Sequence, residues 1–123
     1  MTMDERKALA RSFLGKTVHI EIDRPIGYVH KKETYALTYP INYGYIPDVL
    51  GGDDEEMDVY LLGVDVSVDE FDAHIIAIVH RENDVEDKLV GVPQGVVFTK
   101  EEIAAAVHFQ EQYYRWHIEV LFE

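Results

Sequence analysis

Thr17-Val18-His19-Ile20-Glu21-Ile22-Asp23 alternates without a fault. Val18, Ile20 and Ile22 face one way and His19, Glu21 and Asp23 the other, the pattern of a half-buried strand with one polar face. Arg24-Pro25-Ile26-Gly27 then reads as a turn. Downstream, strand signals recur at about Asp58–Leu62, at the very apolar Ala73–Val79, at Lys88–Val92 and at Val96–Phe98. Tyr113–Phe122 finishes as a strand with Trp116, Ile118, Val120 and Phe122 on one face. Helices are few. Residues 4–13 present Ala8, Leu9 and Phe13 as one apolar side ahead of Gly15, and Thr99 followed by Glu102 is a capping box opening a helix through about Gln112. Short strands parted by Gly/Pro turns, with little helix, predict a mainly β (α+β) fold: a small closed β-barrel with one or two helices packed on it.

The 123 residues suit one domain spanning 1–123, with 1–14 as a helical extension at its N-terminus. Neither repeat nor linker interrupts it. With 11 Lys+Arg against 24 Asp+Glu the net charge is −13, which argues against nucleic acid and anionic membrane, since both bind basic surface. No cysteine is present, so disulfides, thiolate zinc and a thiol nucleophile are excluded. No stretch has the length of a membrane span or a signal-peptide core. The expectation is an acidic, soluble, cytoplasmic protein.

The charge is unevenly spread. Residues 1–52 hold seven basic and six acidic side chains, and residues 53–123 hold four and eighteen. The break falls at Asp53-Asp54-Glu55-Glu56, with Asp58 just beyond. Such a run is either a solvated turn or a set of carboxylates converging on a cation. Asp53 and Glu55 would point the same way in an extended chain, and Asp58 at a strand entrance could close on them. All-oxygen donors suit Mg²⁺ or Mn²⁺ better than zinc. An EF-hand is excluded, because its sixth loop position needs Gly and here would be Asp58.

Ahead of the carboxylates stand Tyr39, Tyr43 and Tyr45, in a stretch, 28–50, that holds five of the eight tyrosines. A phenol can donate to a phosphate oxygen while its ring packs apolar surface. The block Tyr39-Pro40-x-Asn42-Tyr43-Gly44-Tyr45-Ile46 followed by Asp53-x-Glu55-x-x-Asp58-Val59 resembles the signature of the family I soluble inorganic pyrophosphatases, with weaker likeness over roughly residues 17–115. The resemblance implies a five-stranded OB-like barrel, several Mg²⁺ ions, with Mn²⁺ as a substitute, and hydrolysis of pyrophosphate to two phosphates by a metal-activated water. Homo-oligomers are common in that family.

By the same resemblance Asp53, Glu55 and Asp58 fall on the metal-binding aspartates, Tyr39 on a phosphate-binding tyrosine and Tyr43 on a tyrosine beside the metals. Glu21 matches a site glutamate, and Lys31, or equally Lys32, a phosphate-binding arginine. The segment Glu82-Asn-Asp84-Val-Glu86-Asp87-Lys88 resembles a later metal segment, offering Asp84 and Asp87 as ligands and Lys88 to the substrate; the orientation of Glu86 is left open. Tyr113 falls on the tyrosine of a phosphate clamp, with Arg115 nearest to its lysine. Departures are concentrated in the basic residues: His19 and Tyr114 stand where the family has lysines, Glu55 where it has aspartate and Glu56 where it has proline. An alternative reading is therefore a catalytically weak or inactive barrel that binds metal and a phosphate ligand. His74, His80 and His108 read as structural.

Overall fold

The computed structural model describes residues 1–52 and 54–121. Helix α1 (Met3–Arg11) precedes strands β1 (Thr17–Arg24), β2 (Val29–Lys31), β3 (Ala36–Thr38), β4 (Asn42–Leu50), β5 (Glu56–Leu61), β6 (Glu70–Arg81) and β7 (Lys88–Val92). Helix α2 (Lys100–Glu111) and strand β8 (Trp116–Val120) follow. The main sheet runs β1-β4-β5-β7-β6, and a further pairing of β1 with β6 closes these five strands into a barrel. All neighbours are antiparallel except β5 and β7, which run parallel with Val59 opposite Leu89. Strand β8 extends β6 outside the ring, and β2 and β3 form a separate hairpin. The closed five-stranded barrel with helices is the fold the sequence predicts.

Alternation sorts two cores. Val59, Leu61 and Leu89 join Ile20, Ile75, Ile78 and Ala10 of α1 in one cluster, while Tyr60, Leu62, Val90 and Val92 join Ile103 and Val107 of α2 in another. Both faces of β5 and β7 are therefore covered, which parallel neighbours generally require. Thr99 and Glu102 form the expected capping box, and Thr2 with Glu5 forms a second one on α1. Gly44 lets β4 approach β1: a Cβ there would overlap the Glu21 carbonyl.

Three strand expectations change. Val96–Phe98 is not a strand, because Pro93–Gly95 turns, with the Val96 N–H on the Pro93 carbonyl, and leads directly to the cap of α2. Strand β6 is longer than expected and reaches out to Glu70 and Arg81. The Tyr-rich stretch contains β4, whose run of buried Asn42, Tyr43 and Gly44 hides the alternation. The expectation for Phe122 lies outside the described residues. Among the described residues, no helix is long and apolar enough to cross a membrane.

Candidate active site

The chemistry gathers in a cavity of about 560 Å³ beside the β5–β7 pair. Carboxylates of Asp23, Glu55, Glu56, Asp58 and Glu86 line it together with Arg24, Lys32, Arg81 and Lys88, and Tyr43, Tyr45, Tyr35, Tyr113 and His30 complete the wall.

Its floor is a buried cluster. The Tyr43 hydroxyl donates to Asp58 Oδ2 at 2.5 Å, and Lys88 Nζ donates to the same oxygen at 2.7 Å and to the Tyr43 hydroxyl at 2.5 Å. The third donor of Lys88 goes to Glu86 Oε1. Geometry follows from register for Asp58 and Lys88, which each precede the Val59–Leu89 pair, while Glu86, in the connection just ahead of β7, reaches the same floor through its bond to Lys88. Burial alone would raise Asp58, but the Lys88 ammonium and the hydrogen bonds it accepts hold it below the usual carboxylate range. Burial pushes Glu86 the other way, up to about 7, with Asp58 adding to the rise against the pull of Lys88. Burial and Asp58 keep the Tyr43 phenol protonated, so it is a donor.

One ammonium thus faces two carboxylates at the floor, with the Arg81 guanidinium 3.9 Å from Glu86 but bound to Glu111 and Asp84, and Glu55 also lines the cavity. Hard oxygen donors with a deficit of positive charge are the chemistry a small divalent cation takes. By donor chemistry Asp58, Glu86 and Glu55, which line this one cavity, suit such an ion, whereas among the described residues the three ligand groups that already lie together are His19, Glu21 and Glu70, outside it. Asp54 has φ 60°, so the chain between Asp53 and Glu55 is not extended as the spacing argument requires. Asp53 itself lies outside the described residues.

The other site expectations divide. Lys88 and Tyr113 line the cavity as well as Tyr43, Asp58 and Glu55. Tyr39 is fully buried behind the wall; its hydroxyl accepts from Arg24 Nη1 at 2.6 Å and donates to Gln110 Oε1 at 2.5 Å. It therefore holds Arg24, which does face the cavity. Lys32 and His30 line the cavity and Lys31 does not, because alternation along β2 turns Lys31 to the opposite face. Glu21 lies off the cavity, on the outer face of β1 with His19 and Glu70. Asp84 is drawn to Arg81 at 3.0 Å, and Asp87 is buried between Arg6 Nε at 2.9 Å and Lys7 Nζ at 2.7 Å. Neither reaches the cavity. Arg115 is tied through its backbone N–H to Asn83 and is not part of the wall.

Sequence reasoning misses Arg24, taken for the start of a turn. Its guanidinium carbon stands 5.5–5.9 Å from the ring centres of Tyr28, Tyr39 and Tyr43. It also misses Arg81, whose Nε and Nη2 bind both oxygens of Glu111 at 2.9 and 2.8 Å while Tyr60 donates to Glu111 at 2.6 Å. Glu86 was discoverable from its i, i+2 spacing to Lys88.

The family profile described as "Inorganic pyrophosphatase" matches residues 13–119. Among solved structures the chain resembles the inorganic pyrophosphatase of Ehrlichia chaffeensis, with TM-score 0.67 and 17% identity over 88% of each chain. It also resembles those of Helicobacter pylori, with TM-score 0.59 and 17% identity over 88% of this chain and 84% of that one, and Neisseria gonorrhoeae, with TM-score 0.56 and 18% identity over 87% and 81%. At such identity these likenesses speak for the barrel alone. The chain has no match among curated protein sequences.

Proposed function

The chain belongs to the inorganic pyrophosphatase family, and on that premise we propose that it hydrolyses inorganic pyrophosphate to two phosphates with Mg²⁺, for which Mn²⁺ can substitute. The observation that carries this reading is the half-buried Asp58–Glu86 pair, joined by the buried Lys88 and with Tyr43 on Asp58, at the floor of a cavity walled by further carboxylates and cations. A divalent ion held by Asp58, Glu86 and Glu55, with Asp53 as the motif's further ligand, would supply charge to the diphosphate and lower the pKa of a bound water.

The chain's own residues do the rest. Tyr43 fixes the Asp58 carboxylate by donating to Oδ2, and a carboxylate so held needs no reorganisation when charge develops beside it. Lys88 keeps a positive charge on the floor. Arg24, braced by Tyr39, and Lys32 supply donors to phosphate oxygens from the cavity wall. Planar and always charged, Arg24 suits a phosphate's paired oxygens. It stands in for the basic residues that His19 and Tyr114 lack.

The test is phosphate release from pyrophosphate by the purified protein with Mg²⁺, with Mn²⁺ and with chelator. Release that requires either metal supports the proposal. Its absence from a folded protein leaves a barrel that only binds metal and phosphate, and calorimetry with Mg²⁺ and a non-hydrolysable diphosphonate would then be decisive.

A further inference from the structure

Arg6 is a buried cation on α1 that the reaction does not use. It is 5% exposed, although it stands in the second turn of an N-terminal helix. Its guanidinium is spent on another part of the chain. Nε donates to Asp87 Oδ2 at 2.9 Å, Nη1 to the Asp84 carbonyl at 2.7 Å, and Nη2 to the Arg81 carbonyl at 3.0 Å and Asp87 Oδ1 at 3.4 Å. Residues 82–87 connect β6 to β7 and deliver Glu86 and Lys88 to the cavity floor. One planar fork therefore grips that connection at its start, its middle and its end.

The stem of Arg6 touches a second segment. A Cβ on Gly52 would overlap both Arg6 Cδ and the Val85 carbonyl oxygen. Gly52 belongs to the turn closed by the Gly51 N–H on the Glu55 carbonyl at 2.8 Å, the turn that presents Glu55. Arg6 is thus packed between the two stretches of chain that bring carboxylates to the cavity. Packing of α1 does not require this, since Ala10, Leu9 and Phe13 already bury its apolar side. Desolvating a guanidinium is costly unless its donors are used, and here all three nitrogens donate, in four bonds.

We propose that Arg6 is a positioning residue that clamps the Gly51–Glu55 turn to the 82–87 connection, setting the separation at which carboxylates from both can meet one divalent ion. The inference rests on the metal-dependent reading of the site. A lysine at this place would keep the charge on Asp87 and lose the fork to the two carbonyls.

Arg6→Lys is the informative variant, Arg6→Ala its stronger companion, and Arg11→Ala the comparator. Arg11 lies on the same helix and bonds Glu119 at the surface at 2.9 Å. Two readouts are taken: amide hydrogen exchange of the metal-free protein, and Mn²⁺ affinity by calorimetry. With Arg6→Lys folded, exchange is expected to speed up about tenfold in both 82–88 and 51–56 while the rest of the barrel is unchanged. Mn²⁺ binding is expected to weaken about 10- to 100-fold. Arg11→Ala should alter neither. Unchanged exchange in the two segments, or an unchanged Mn²⁺ affinity, overturns the clamp. If the unmodified chain binds no Mn²⁺, the proposed function falls instead, and the exchange comparison decides the clamp alone.

Discussion

Asp58 and Lys88 stand side by side on the parallel strands β5 and β7, each one residue ahead of the Val59–Leu89 register pair, and Lys88 Nζ lies 2.7 Å from Asp58 Oδ2. Parallel pairing places them on the same face, and Glu86, in the connection just ahead of β7, completes the group through Lys88. The ammonium neutralises one carboxylate equivalent and leaves Glu86 raised to about 7. The floor of the cavity is therefore short of positive charge by construction.

Asp58→Asn keeps the shape and the acceptor for Tyr43 but removes the charge. Metal-dependent phosphate release is expected to fall by about 100-fold or more, with circular dichroism unchanged. Full activity in a folded variant would remove Asp58 from the proposed machinery.

Lys88→Met leaves Asp58 without its cation and Glu86 with only the Arg81 guanidinium at 3.9 Å, a loss of about 3–5 kcal/mol in stability at neutral pH. Mg²⁺ should then raise the melting temperature of the variant more than that of the unmodified chain, because the ion now supplies the missing charge. Equal shifts in the two proteins would show that the ion does not bind beside Lys88.

Arg24→Ala is expected to raise KM for pyrophosphate about tenfold, the cost of one charged hydrogen bond, with a smaller change in kcat. Tyr39→Phe, which frees the Arg24 side chain from its brace and leaves Gln110 Oε1 without its donor, should act in the same direction and less. Steady-state kinetics of both variants check this ordering.

Gly44→Ala drives a methyl group into the Glu21 carbonyl of the neighbouring strand. Backbone meets backbone there, so relief needs the β1–β4 pair to separate. A loss of about 1–3 kcal/mol or more is expected, read as a lower urea midpoint.

Glu119 illustrates the pH dependence. Burial would raise its carboxyl, but hydrogen bonds from His80 and Arg11 outweigh that and hold it lower. A depressed folded-state value stabilises the protein above the ordinary glutamate value of about 4.3, and the contribution is lost as pH falls through it. The carboxylate is about a third exposed, so Glu119→Gln should cost no more than about 1 kcal/mol at pH 7. Urea titrations should show that difference closing below about pH 4; a constant difference there would mean the carboxylate charge is not its source.

Much of the barrel is readable because its strands are amphipathic or largely apolar: Thr17–Asp23 appears where its alternation places it and Lys88–Val92 where its short apolar run does. Strand β4 is not readable, since Asn42 is buried by bonds to the Ile26 N–H and the Val64 and Val66 carbonyls, contacts made by distant loops. In the site, the residues of the Tyr43–Asp58 block are legible from their spacing. Asp87 misleads because the resemblance aligns types of residue, whereas Arg6 and Lys7 of α1 hold its carboxylate away from the cavity and leave Glu86 facing it. Strand parity separates Lys32 from Lys31. Arg6 and Arg24 give no local signal, for each is defined by partners far along the chain.

The parallel pairing of β5 with β7 also governs when the site comes into being. Asp58 and Lys88 belong to strands that β6 separates in sequence, and their register exists only once β6 has crossed and returned. A chain segment cut between β5 and β7 carries either Glu55 and Asp58 or Glu86, never all three. Such non-local pairing is late and slow to form, so an ion recognising the complete floor retards the unfolding rate and leaves the folding rate nearly untouched. Its protection is then kinetic: a long lifetime of the assembled barrel rather than faster assembly.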